Sequence, residues 1–168
     1  IAMDVSAEDR LCAVTGTWSI NEYISRTPVP SDGTTLNSLF CLPEYYLIEE
    51  SSPTSAGNLS WAVKHFMGEA QWAALQRGES LYPLADRLVE ACDPAGSRAI
   101  FLPFLYGSNE DGVEQAVLAG LSQADDTADL LRAVFEGVVY SHRTHIDRLR
   151  VHNPRLDRLR LAGGAARS

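Results

Sequence analysis

The chain has 168 residues, of which 45% are hydrophobic and 21% are charged, which suits one domain with a core but not two ordinary domains. Its net charge of −8 and the lack of a basic patch argue against nucleic-acid binding, which depends on neutralising phosphates. No stretch approaches the ~18 apolar residues that a membrane span requires, and the N-terminus lacks the pattern of a signal peptide. We therefore expect a cytoplasmic protein that binds a small molecule or another protein.

The first third of the chain has the pattern of β structure. Two short apolar runs within residues 11–25 flank Thr15-Gly16-Thr17-Trp18, which is typical of a strand, a tight turn and a strand. Residues 39–49 are rich in aromatic and branched side chains around Pro43, and they predict a second hairpin.

Helical spacing takes over from residue 55. It predicts one helix that begins near Gly57 or Asn58 and a second over residues 84–92, followed by a buried strand over 99–102. The longest helix should run from Thr127, as its N-cap, to about Arg150. Gly137 lies inside it at a cost of about 1 kcal/mol, so we expect close packing against a neighbouring backbone there. A short strand over 159–162 completes a mixed α/β domain.

Two glycine turns follow predicted strands, Thr15-Gly16-Thr17 and Gly163-Gly164. Ligands gather where strands of α/β sheets end, and glycine lets a phosphate approach backbone N–H groups closely. Each turn alone is also compatible with an ordinary structural turn. Neither is a Walker loop or a Gly-x-Gly-x-x-Gly fingerprint.

Other polar residues allow two interpretations. His142 and His145 could hold a metal ion with a third ligand such as Asp147, or they could belong to a solvated polar helix face. The arginines late in the chain alternate with Leu, Asp and His, a pattern that favours a solvated helix face. They are Arg143, Arg148, Arg150, Arg155, Arg158 and Arg160. The three cysteines, Cys12, Cys41 and Cys92, are far apart and are expected to be buried, reduced thiols.

Five segments together resemble, in the right order, the C-terminal-domain motifs of the FGGY carbohydrate kinases. They are AVTGTW (13–18), ESSPTSAGNLSW (50–61), FLPFLYGSN (101–109), AVFEGVVYSH (133–142) and LAGGAARS (161–168). The likeness is closest to the L-xylulose and 3-keto-L-gulonate kinase branch. It implies an actin-like, ribonuclease-H-like α/β ATPase fold. Residues 1–168 would then be part of the C-terminal, nucleotide-binding domain of a two-domain kinase, without its N-terminal domain and final C-terminal segment.

The resemblance also implies a reaction and a set of contacts. These enzymes transfer the γ-phosphoryl of ATP, with Mg²⁺, to a sugar hydroxyl, here of a ketose-type sugar such as L-xylulose. Gly16 and Thr17 would face the β- and γ-phosphates, and Gly57 would lie near the α-phosphate. The contacts to adenine and ribose would come from Gly163, Gly164 and Ser168. Trp18 would approach the sugar or serve in the core or hinge.

The same resemblance implies that essential groups lie outside this chain. The family's general base is an Asp that would fall before Ile1, and Asp4 and Asp9 lie too close to Gly16 to replace it. Most sugar contacts and the Mg²⁺-binding acids belong to the N-terminal domain. We therefore expect weak nucleotide binding and no catalysis by this chain alone. Its surface toward the missing domain should expose apolar residues, a source of self-association such as a homodimer. The alternatives are a kinase for another sugar or polyol, and a stand-alone or decayed nucleotide-binding module.

Overall fold

A five-stranded mixed sheet and four helices make up most of the domain in the computed structural model, which describes residues 4–5, 7–31, 33–110 and 114–167. The strands are β1 (Arg10–Thr15), β2 (Ser19–Ser25), β3 (Thr35–Leu39), β4 (Tyr46–Ser52), β5 (Ile100–Leu102), β6 (Val117–Ala119) and β7 (Arg158–Gly163). The helices are α1 (Ala56–Phe66), α2 (Gly68–Arg77), α3 (Tyr82–Ala91) and α4 (Thr127–His152), and a 3₁₀ helix covers Gly164–Arg167.

The sheet has the strand order β3-β4-β2-β1-β7. Both predicted hairpins are confirmed: β1 pairs antiparallel with β2 around the Thr15–Ser19 turn, and β3 pairs antiparallel with β4. β7 joins β1 in parallel, with Thr15 opposite Gly163. Because paired parallel strands point the same way, the turns that follow β1 and β7 lie at the same edge of the sheet.

Alternation along β1 divides its side chains between two cores. Leu11 and Ala13 face α4 and pack with its Leu149, whereas Cys12 faces the other side and packs with Ile24. A third core joins α1, α3, α4 and β5 around Ala62 and the other buried residues of these elements. The position of α4 against both the sheet and the other helices makes it the central element of the domain.

The predicted helices α1, α3 and α4 are present, and α2 was not predicted. The N-cap of α4 is Asp126 rather than Thr127. The Asp126 side chain accepts from the Ala128 and Asp129 amides, and the Asp129 side chain accepts from the Asp126 amide. Close packing at Gly137 is confirmed. A Cβ there would fall well inside van der Waals contact with the Phe101 carbonyl oxygen.

Three expectations about side-chain environment are wrong. The strand expected to be buried, β5, buries only Phe101, and its Ile100 and Leu102 are exposed. Only Cys12 is buried; Cys92 is half-buried and Cys41 is exposed, although all three are free thiols. The late arginines do not form one helix face, because α4 ends at His152 and Arg148 is half-buried, beside the buried Glu50.

Apolar side chains do lie exposed at one side of the domain. Leu159 and Leu161 of the edge strand β7 and Val139 of α4 are more than 45% exposed, and they border an apolar groove of about 700 Å³. In the described part of the chain, no helix is both long enough and apolar enough to cross a membrane.

Candidate nucleotide site

The two predicted glycine turns meet at one edge of the sheet. The parallel register places Thr15 opposite Gly163, and the Thr15 hydroxyl donates to the Ala162 carbonyl oxygen over 2.9 Å. Gly163 has φ +95°, and a Cβ there would lie 2.5 Å from the Thr15 carbonyl oxygen. Only glycine therefore allows the two turns to approach each other this closely.

The N-terminus of α1 completes this edge. The Ala56 amide donates to the Gly16 carbonyl oxygen over 3.0 Å. A Cβ on Gly57 would lie 3.6 Å from the Thr17 carbonyl oxygen and 3.1 Å from Cε2 of Tyr106. Three segments that are distant in sequence thus converge, each bearing a glycine.

The structure places five of the six predicted site residues together, namely Gly16, Thr17, Gly57, Gly163 and Gly164; Ser168 lies outside the described residues. Packing within the chain does not require glycine at two of these positions. A Cβ on Gly16 would make only an ordinary contact, and one on Gly164 would meet no atom within 4 Å. Gly164 is exposed and Gly16 is half-buried, and backbone without a side chain at these points suits the close approach of a ligand's phosphates.

Aromatic side chains border the same edge. Trp18, directly after the Gly16-Thr17 turn, is 53% exposed, and Tyr106, against Gly57, is 57% exposed. The exposure of Trp18 contradicts a core role for it and leaves it able to contact a ligand.

Behind this edge lies a buried polar cluster that the sequence interpretation missed. Nδ1 of His142 lies 3.0 Å from Oδ1 of Asn21 and 3.1 Å from Oγ of Ser19, and its Nε2 lies 3.1 Å from Oγ of Ser55. All four side chains are buried. Burial, with a smaller contribution from His145, lowers the pKa of His142 to about 4, so the ring is neutral at pH 7.

His145 forms the second half of this polar layer. Its Nδ1 donates to Oε2 of Glu50 over 2.7 Å, and its Nε2 lies 2.9 Å from Oγ of Ser52. Burial by itself raises the pKa of the Glu50 carboxyl. Hydrogen bonds from His145 and Thr34 and the charges of His145 and Arg148 outweigh burial and hold that pKa below its usual range.

This arrangement overturns the interpretation of His142 and His145 as a solvated face. It also gives the metal alternative no support: the exposed Asp147 pairs with Arg143, and the described residues contain no group of three His, Cys, Asp or Glu side chains suited to a metal ion. A sequence signal did exist. Both histidines lie on a series with steps of three or four residues, which runs from Leu131 to Leu149. The other members of the series are Val134, Val138, His142 and His145.

Asp4 and Asp9 lie at the wrong end of the sheet for chemistry at this edge. They adjoin the start of β1, whose six residues span roughly 20 Å at about 3.3 Å each. Both also make ion pairs with Arg10.

Comparison with known proteins settles the family. Residues 11–168 match the profile of the FGGY family of carbohydrate kinases, C-terminal domain. The chain belongs to this family. It is 36% identical over 163 residues to a probable L-xylulose kinase of Pasteurella multocida, and 34% identical over 165 residues to the L-xylulose/3-keto-L-gulonate kinase of Escherichia coli. These alignments cover 96% and 98% of this chain but 31% of each relative, so the chain spans about a third of their length.

Solved structures confirm the predicted fold class. The FGGY domain described here superimposes on the xylulose kinase from Rhodospirillum rubrum with a TM-score of 0.86 at 22% identity, over 99% of this chain and 32% of that one. The Plasmodium falciparum glycerol kinase with ADP gives a TM-score of 0.75 at 17% identity, over 98% and 32%. At these identities the likeness shows the fold, which is the actin-like α/β fold expected for the FGGY family.

Proposed function

We propose that the full-length protein containing this chain is an ATP-dependent carbohydrate kinase that phosphorylates a hydroxyl of a ketose-type sugar such as L-xylulose. This chain would be its nucleotide-binding part. The observation that carries the proposal is the convergence of the three glycine-bearing segments at one sheet edge, in a domain of the FGGY family. The names of the two relatives support the sugar class.

The chemistry of the edge fits a triphosphate. Phosphoryl transfer depends on positioning and charge stabilisation, which backbone N–H groups and a threonine hydroxyl supply. Gly16 and Thr17 would hold the β- and γ-phosphates, Gly57 would lie near the α-phosphate, and Gly163 and Gly164, with Ser168, would lie near adenine and ribose. β1 and β7 are paired in the sheet, and the first amide of α1 is bonded to Gly16, so these contacts would be preorganised.

Mg²⁺ would enter as the partner of ATP and neutralise charge on its phosphates. The described residues at this edge offer hydroxyl and backbone groups rather than a carboxylate cluster, so the acids that hold the ion, the general base and the sugar contacts would come from the missing domain. Closure of that domain would exclude water from the transfer. We expect this chain alone to bind nucleotide weakly and to leave sugar unphosphorylated.

The test measures Mg²⁺-dependent ADP release from ATP by the full-length protein with L-xylulose, 3-keto-L-gulonate, D-xylulose, L-ribulose and glycerol, beside the 168-residue chain. Sugar-dependent turnover by the full-length protein alone supports both the kinase and the partial-site proposals. If the full-length protein binds ADP but releases none from ATP with any of these sugars, the result would favour a nucleotide-binding module without kinase activity. Turnover by the short chain would contradict the missing-base proposal.

A variant tests the assigned phosphate contact. Thr17→Val in the full-length protein should lower kcat roughly 10²-fold, because it removes a hydroxyl that donates to transferring phosphate while keeping the shape of the side chain. Thr27→Val is the control, since Thr27 is also exposed but follows β2 at the opposite end of the sheet. Equal turnover by the two variants would remove Thr17 from the site.

A further inference from the structure

Ser55 stands at the N-cap of α1 without capping it. A serine at this position normally accepts a hydrogen bond from the backbone amide two or three residues on, here Gly57 or Asn58. The Ser55 side chain makes no such bond, although it is fully buried next to the helix. Its hydroxyl lies 3.1 Å from Nε2 of His142 instead.

The neighbouring groups fix the direction of this hydrogen bond. The amide group of Asn21 donates to Ser19, which leaves Oδ1 of Asn21 directed at Nδ1 of His142 over 3.0 Å. An amide oxygen only accepts, so Nδ1 of the neutral ring carries the proton. Nε2 is then an acceptor, and the Ser55 hydroxyl must donate to it.

The amide that the missing cap would occupy is that of Gly57. Of the two amides within reach of an N-cap side chain, that of Asn58 already donates to the Ser55 carbonyl oxygen over 2.9 Å. The preceding amide, that of Ala56, donates to Gly16 over 3.0 Å. A hydroxyl on Ser55 that turned toward its own helix would therefore compete for the Gly57 amide.

We propose that His142 is a positioning residue that holds the Ser55 hydroxyl away from its own helix and so leaves the Gly57 amide free to bind a nucleotide phosphate. The proposal rests on the proposed nucleotide site. It adds a residue that keeps one contact of that site, the Gly57 amide at the start of α1, available to the phosphate. His142 touches neither nucleotide nor sugar in this scheme. It acts through Ser55, and its bonds to β2 hold the ring in place.

Two substitutions of His142 test the roles of its two ring nitrogens separately. The terminal amide of glutamine reaches the region of Nε2, so His142→Gln keeps an acceptor for Ser55. The amide of asparagine reaches only the region of Nδ1, so His142→Asn keeps the β2 side and releases Ser55. In the full-length protein we expect His142→Asn to raise KM for ATP about tenfold, as for one lost charge-assisted hydrogen bond, with KM for the sugar unchanged. His142→Gln should raise KM for ATP clearly less.

The role of Ser55 is tested by a double-mutant cycle. Ser55→Ala removes the competing hydroxyl, so adding His142→Asn to Ser55→Ala should raise KM for ATP no further. Leu149→Ala is the control for stability: it lies on α4, is fully buried and packs in the sheet core away from α1. It should lower the melting temperature without changing KM for ATP.

Equal increases in KM for ATP from His142→Asn and His142→Gln would overturn the proposal, and so would an undiminished His142→Asn effect in the Ser55→Ala background. Absence of any sugar-dependent turnover in the unmodified full-length protein would instead contradict the kinase proposal. In that case calorimetric titration would measure the dissociation constant for ADP. The variants compared would be His142→Asn, His142→Gln, Ser55→Ala and the double variant of His142→Asn with Ser55→Ala. The same order of dissociation constants supports the role of His142, and a flat series overturns it.

Discussion

The buried His142 should make the stability of the domain depend on pH in a way that one substitution removes. The pKa of His142 is about 4 in the folded protein, against the usual 6.5. At 1.36 kcal/mol per pKa unit, this gap corresponds to about 3 kcal/mol. A natural domain is stabilised by only about 5–15 kcal/mol, so the effect is large enough to measure.

The sign follows from which state binds the proton. Between pH 6.5 and about 4 the unfolded chain protonates this histidine and the folded chain does not, so acidification favours unfolding. The contribution of His142 to stability is complete above pH 6.5, falls as the pH drops toward 4, and is constant below that. His145 and Arg148 lie nearby, both in contact with the carboxylate of Glu50, and all three residues remain in a His142 variant.

The assay is urea unfolding of the 168-residue chain and its His142→Asn variant at pH 7, 6, 5 and 4. The variant loses hydrogen bonds and is less stable at pH 7, but its disadvantage in unfolding free energy should shrink by about 3 kcal/mol by pH 4. Leu149→Ala, which removes no titrating group, should keep a constant disadvantage. Parallel curves for the wild-type chain and His142→Asn would refute the buried neutral histidine.

Two pairs of glycine variants give further tests. Gly137→Ala should lower the free energy of unfolding by about 1–3 kcal/mol, since its Cβ would meet the Phe101 carbonyl oxygen, whereas Gly68→Ala, with no atom within 4 Å, should be neutral or stabilising in thermal melts. Gly163→Ala should lower the melting temperature, because of its φ of +95° and its contact with the adjoining strand. Gly164→Ala should keep the melting temperature and raise KM for ATP in the full-length protein; equal melting temperatures for the Gly163 and Gly164 variants would contradict this assignment.

Local patterns predicted those parts of the fold in which each residue's environment follows its neighbours in sequence. The β1–β2 hairpin and α4 have regular apolar spacing over many residues, and their type and extent were predicted within a few positions. The helix α2 has one buried residue, Ala74, and strand β6 has three residues, so neither carries a sustained pattern. The N-cap of α4 is Asp126 and not the predicted Thr127, because Asp126 and Asp129 form reciprocal hydrogen bonds between side chain and backbone.

The candidate site, too, could be predicted from the sequence only in part. Its glycines could be found from the order of family motifs, but their convergence depends on the pairing of β1 with a strand almost 150 residues later. The polar layer could not be found from residue type alone. His142 and His145 are polar, yet they occupy buried positions because Asn21, Ser55, Glu50 and Ser52 satisfy their ring nitrogens.

That polar layer also explains how α4 keeps its position on the sheet. Apolar contacts alone would let α4 slide along the sheet, since Leu131, Val134 and Leu149 are chemically similar side chains on one face of the helix. A shift of α4 by one turn would move both histidines off their partners and leave buried polar atoms on β2 and β4 unpaired, at about 1–3 kcal/mol for each group. The hydrogen bonds of the layer therefore favour one register. Because Ser55 belongs to the same layer, the register of α4 and the position of the α1 N-terminus beside Gly16 are fixed together.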